Sequence, residues 1–438
     1  MQKSLDAKLA DIHANPNSKA FIIADAKDAD MAFGIGSPGR SPEHEDGAFR
    51  SLQEYREIIR ANVQQGLIDI MLMSVSTNEV LTIRERIFDG TAVTPAIRAN
   101  DTTDIHVARG SSYPKQPSRP FRTALIDHAQ CGKIVCDDSA QRHQGANLGL
   151  YSVTFNNSIE TDLRALEAYR EFRIEAEQKG FRHFLEIFDP NAAVNPVAPE
   201  LLGGFINDLI ARTLAGVASP GRPVFLKMVY HGPKAMEELV KYDPHLVPGI
   251  LGGSAGTTYD AFKLLAEAKK YGARAALFGR KINQAEHQLG FIQFLRWIAD
   301  DVITPEEAVK AYHGMLATLK IKPRLSLEKD MEETSGVTSY GGSGTTISMG
   351  KKGGVKIVAG QGSAASQYNA AAARAKSQAT AGPKSAPVAA KSQAAASAQT
   401  AASGNGEYPK KSDGSPDFAS MTPAQRLAYH KARLDRMF

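Results

Sequence analysis

Between residues 20 and 318, short apolar runs bounded by Gly, Pro or Asp alternate with amphipathic stretches of helical length. The runs at 21–25, 68–73, 93–98, 148–154, 181–188, 224–229, 247–251 and 275–278 predict eight strands. Apolar residues at helical spacing follow most of them, over 49–65, 78–88, 160–178, 199–214, 234–241, 259–271 and 286–299. Eight such units favour an α/β fold of the closed (β/α)8 kind, a TIM barrel. A doubly wound open sheet is the alternative if a strand is miscounted. The third unit is irregular. Residues 99–147 are long and polar and hold two further strand-like pieces, 122–126 and 133–136, which predict a hairpin inserted between strands 3 and 4.

The periodicity stops near residue 322. Residues 334–406 contain no acidic side chain and collapse into Gly, Ser, Ala, Gln, Thr and Lys, a composition that cannot bury enough apolar surface to offset its ordering entropy. The organisation expected is therefore a barrel over 1–322, a disordered linker over 323–405 and a tail over 406–438. Thr422-Pro423-Ala424-Gln425 supplies a capping hydroxyl, a proline at the first helical position and a glutamine at N3, so the tail should end in a short helix.

Charge changes the picture once it is located. The chain carries a net charge of +5, but residues 334–438 hold 13 Lys and Arg against 4 Asp and Glu, leaving about −4 on the rest. The barrel region is mildly acidic and gives no sign of a nucleic-acid partner. No run approaches the roughly 18 apolar residues of a membrane span, so no membrane partner and a cytoplasmic location are expected. Two cysteines, Cys131 and Cys136, are too few for a disulfide framework and are expected as free thiols. His128, Cys131, Cys136 and His143 match no common zinc spacing, and no metal is expected.

Within Val224-Phe225-Leu226-Lys227-Met228-Val229 a lysine stands in an apolar strand, sharing its face with Phe225 and Val229. An inward lysine there is expected to lean toward the free amine, which can add to a carbonyl and form an iminium. The plain alternative is a structural lysine paired with a carboxylate. Glu186 in Phe184-Leu185-Glu186-Ile187-Phe188 repeats the pattern and either moves protons or neutralises Lys227 or an arginine. Asp25 and Arg98 end their strands at the rim where barrel sites are built, although either could merely serve its turn. Gly252-Gly253-Ser254 after strand 7 and Gly279-Arg280 after strand 8 fit a phosphate site, with two tight turns as the alternative reading. Gly34 to Gly39 reads as a rim loop able to close on a ligand. Neither a dinucleotide fingerprint nor a P-loop is present.

Phe225-Leu226-Lys227-Met228-Val229-Tyr230, Gly249-Ile250-Leu251-Gly252-Gly253 and Leu277-Phe278-Gly279-Arg280 resemble the class I Schiff-base aldolases of the deoxyribose-phosphate, tagatose-bisphosphate and archaeal-type fructose-bisphosphate group. The resemblance spans about residues 20–319. It implies a carbon-carbon lyase acting on a phosphorylated sugar or keto acid without a cofactor, with Lys227 as the Schiff-base residue, and a homo-oligomer is expected. Glu186 would handle the proton at the cleaved hydroxyl, and Asp25 matches a first-strand aspartate. The acid tyrosine of the archaeal-type enzymes has no counterpart, Phe188 standing in its place, with Tyr151 as a substitute. A transaldol or dehydratase barrel, or a non-catalytic barrel with a basic interaction tail, is the alternative function.

Overall fold

The computed structural model describes residues 1–40, 49–106, 108, 110–193, 195–253 and 256–334, the backbone of 346–349 and 355–358, and residues 409, 410, 412, 420 and 425. The chain divides into two units, Met1–Thr380 and Ala381–Phe438. Apart from Gln425, the expected terminal helix lies outside the described residues, as does most of the expected linker. Eight parallel strands close into a barrel: β1 (Ile22–Lys27), β2 (Ile70–Met73), β3 (Thr94–Arg98), β4 (Leu148–Thr154), β5 (Arg182–Phe188), β6 (Leu226–Met228), β7 (Gly249–Leu251) and β8 (Ala275–Phe278). Each pairs with its sequence neighbours, and β8 closes on β1. These are the eight strands predicted, most of them shortened at an end, with β1 running two residues further to Lys27.

Alternation sorts every strand into two faces. Ile22, Ala24, Ile70, Leu72, Ala96, Leu148, Leu150, Phe184, Phe225, Val247, Ala275 and Leu277 form the barrel's interior cluster, with Phe184 and Phe225 stacked at 4.5 Å. Leu5 and Leu9 of the helix Ser4–Ala14 belong to the same cluster and plug the end where the strands begin. Residues of opposite phase, such as Ile23, Met71, Ala276 and Phe278, pack outward against the surrounding helices.

Three expectations need correction. The insert carries no hairpin from 122–126 and 133–136. Instead Asp101–Thr102 pairs with Pro120–Phe121, and Ile126–Cys131 is a helix. Its buried Ile126, Ala129 and Gln130 stand at the i, i+3, i+4 spacing of a helical stripe rather than in strand alternation. Cys131 and Cys136 are disulfide-bonded, since the turn after that helix brings their Cα atoms to 6.0 Å. Finally, the described chain continues past residue 322: a helix spans Leu327–Asp330, and buried Asp330 accepts from Thr258 N at 2.7 Å.

Candidate functional site

Strand register decides what meets at the mouth. Ser152, Glu186 and Lys227 are direct register partners on β4, β5 and β6, so three polar side chains lie abreast one layer above the Phe184–Phe225 stack. The Lys227 ammonium lies 2.5 Å from Glu186 Oε1, and the Ser152 hydroxyl donates to Glu186 Oε2 at 2.6 Å. All three are buried. From β3, fully buried Arg98 donates to Asp28 at 2.5 Å and to Ser152 Oγ at 3.3 Å. It also stands 3.5 Å from Asp101 and 3.7 Å from Glu186. Asn100 continues β3 through its side chain, donating to Ser152 O at 2.8 Å and accepting from Ser152 N at 2.6 Å.

Burial is the largest influence on Asp101. It pushes the carboxyl up to about 7, against the pull of Arg98 and with the help of Asp28 and Glu186. Burial also raises Asp104 of the insert, while hydrogen bonds from Thr102, Ser118 and Thr154 oppose it.

Above this layer, Ala29, Ala32, Phe33, Ile105, Phe188, Val229 and Leu251 form an apolar cap at the C-terminal rim. A small cavity of ≈ 20 Å³ remains between the two, lined by Asp28, Lys227, Gly252, Gly253, Gly279 and Arg280 among others. That is room for about one water. The Arg280 guanidinium lies over the Phe33 ring, 5.4 Å from its centroid. Gly252 continues the β7–β8 ladder through its N–H to Leu277 O at 2.9 Å. A Cβ there would come within 2.0 Å of the Phe278 ring. Gly252→Ala should displace that buried ring and lower stability by about 1–3 kcal/mol, which the denaturation midpoint will report.

The predicted residues are therefore divided by the fold. Lys227, Glu186, Gly252, Gly253, Gly279 and Arg280 come together at the mouth, and Ser254 lies outside the described residues. Arg98, read as a substrate-binding residue at the rim, is fully buried among the carboxyls of Asp28, Asp101 and Glu186. Asp25 is out of phase with the barrel interior. It accepts from Asn62 of the surrounding helix Leu52–Gln65 at 2.7 Å and pairs with Lys27 at 2.6 Å. Burial lowers the Lys27 amine and Asp25 counteracts it. Tyr151 likewise faces outward, stacked on Phe172 at 4.5 Å, and burial raises its phenol. The interior acid at this end of β1 is Asp28, in phase with Ile22, Ala24 and Ala26. That phase was the sequence signal for it.

No family model matches this chain, and no curated protein matches it. Among solved structures, it is similar to an archaeal fructose 1,6-bisphosphate aldolase at 16% identity, covering 67% of this chain and 98% of that one with a TM-score of 0.47. A Schiff-base-forming fructose-1,6-bisphosphate aldolase studied through its reaction intermediates matches at 17% identity, over 68% of this chain and 100% of that one, TM-score 0.47. A fructose-bisphosphate aldolase from Slackia heliotrinireducens matches at 15% identity, over 71% and 91%, with a TM-score of 0.49.

Proposed function

We propose that this chain is a class I aldolase that cleaves or forms a phosphorylated sugar or keto acid through a Schiff base on Lys227. The observation that carries the reading is a buried lysine at the barrel mouth, 2.5 Å from a buried carboxyl and on the wall of a cavity edged by Gly252, Gly253, Gly279 and Arg280. Barrel enzymes place phosphate on the loops after strands 7 and 8, and chemistry on strand ends.

In the proposed cycle the Lys227 nitrogen attacks the substrate carbonyl carbon. Starting from the ammonium, two protons pass from nitrogen to the carbonyl oxygen by way of Glu186, and that oxygen leaves as water. The iminium left behind draws the electrons of the adjacent carbon-carbon bond. As this bond breaks, the β-hydroxyl proton goes to Glu186 or Asp28, an aldehyde departs and an enamine remains. Protonation of the enamine carbon regenerates an iminium, and water adding to it breaks the carbon-nitrogen bond, releasing the carbonyl product and the amine. Gly252, Gly253, Gly279 and Arg280 hold the phosphate, and Ser152 orients Glu186. The cavity among the described residues has room for about one water, so in the proposed cycle Arg280 leaves the Phe33 ring as the phosphate enters.

The test is mass spectrometry after incubation with dihydroxyacetone phosphate, pyruvate or acetaldehyde and reduction with borohydride. A stable adduct mapped to Lys227 is expected, and the donor that gives it fixes the substrate class. Absence of an adduct with every donor would move the assignment to a non-catalytic barrel.

A further inference from the structure

The opposite end of the barrel carries a second, larger depression. A cleft of ≈ 840 Å³ opens between the segment leading into β1, the turn before β8 and the loop joining the helices Gln288–Ala299 and Pro305–Thr318. The first two are connections into strands, which places the cleft on the face away from Lys227. The volume is that of a small-molecule site.

Its lining combines charged and apolar side chains, with basic ones in excess. Lys19, Lys269, Lys270 and Arg274 line it together with Asp301 and Glu307. Three of these charges are already used locally. Lys269 bonds Asp301 at 2.7 Å and Ala299 O at 2.7 Å, and Glu307 closes the capping box with Thr304. Lys19, Lys270 and Arg274 have no carboxylate partner among the described residues; Lys270 rests over the Tyr271 ring at 5.3 Å. Arg274 is half-buried, and burial, with no anion opposing it, lowers its guanidinium from the ordinary value. A desolvated arginine without a counter-ion costs stability unless something anionic completes it. Pro16, Ile303, Pro305 and the exposed Val302 supply a contact surface for an uncharged body.

We infer that this cleft is a second binding site, for a phosphorylated small molecule of about nucleotide size, whose phosphate sits against Arg274, Lys19 and Lys270 while its apolar or flat body lies on Val302 and Pro305. It is independent of the chemistry assigned to the mouth.

Calorimetric titration of the full chain with AMP, with adenosine as the uncharged control, tests it. Saturable AMP binding is expected, weaker by about tenfold or more in Arg274→Ala and in the surface variant Lys270→Glu, and unchanged in Arg280→Ala at the mouth. Adenosine should bind at least tenfold more weakly than AMP. Thermal melting identifies a variant that has lost its fold, in which case Lys270→Glu decides. No AMP binding up to about ten millimolar, equal binding by adenosine, or loss in Arg280→Ala with none in Lys270→Glu would overturn the assignment.

Discussion

Lys227→Met is expected to abolish the borohydride-trapped adduct and to lower turnover on the order of 10⁴-fold or more, as removal of a covalent catalyst does elsewhere. Activity alone cannot carry this test, because the same change leaves Glu186 buried beside Ser152 at 2.6 Å and Arg98 at 3.7 Å without its closest cation. Breaking a buried pair from one side costs about 3–5 kcal/mol. The double variant Lys227→Met/Glu186→Gln removes both charges and should recover most of that stability while still forming no adduct. If the pair were purely structural, the wild type would form no adduct and the double variant would keep whatever activity the wild type has. The readouts are the trapped mass, the rate of aldehyde release and the denaturation midpoint for all three proteins.

Why these residues were legible, and others not, follows from phase. A charged residue in the middle of an apolar run signals itself, and Lys227 and Glu186 stand two residues from Phe225 and Phe184, whose rings meet inside the barrel. The eight strands were readable for the same reason: each is a short apolar run between breakers. In β1 one face is Ile22, Ala24 and Ala26 and the other is Ile23, Asp25 and Lys27, so the charged residue inside the strand, Asp25, reads as the rim acid, whereas the position in phase with the apolar face is Asp28. The insert was harder. Its structure rests on contacts distant in sequence, such as Asn191 accepting from Ser118 N at 3.1 Å and the Ser118 hydroxyl donating to Asp104 at 2.8 Å, and no local pattern encodes them. Nor does spacing alone reveal that a turn will bring Cys131 and Cys136 within bonding range. The register that sets Ser152, Glu186 and Lys227 abreast is a property of barrel closure, invisible in any one strand.

Asp101→Asn is expected to raise stability at pH 8 and to flatten its dependence on pH between about 4 and 7. The polar layer holds two cations, Arg98 and Lys227, against three carboxyls, Asp28, Asp101 and Glu186, so one carboxyl exceeds what the cations can neutralise. Asp101 is that surplus group, at about 7 in the folded chain and near 3.9 once unfolded. Between those values the folded state keeps a proton that the unfolded state has released, so stability falls as pH rises through the interval and stays low above it. The gap between the folded and unfolded values sets an upper figure of about 4 kcal/mol, and relaxation around the site brings the expected gain for the neutral amide to about 2–3 kcal/mol. Below pH 4 the two proteins should be close to equal, because both then present an uncharged group beside Arg98. Urea denaturation of wild type and variant at half-unit pH steps measures the difference. A variant less stable than wild type at pH 8 would mean that Arg98 requires Asp101 as an anion, and the charge balance of the layer would have to be redrawn around that pair.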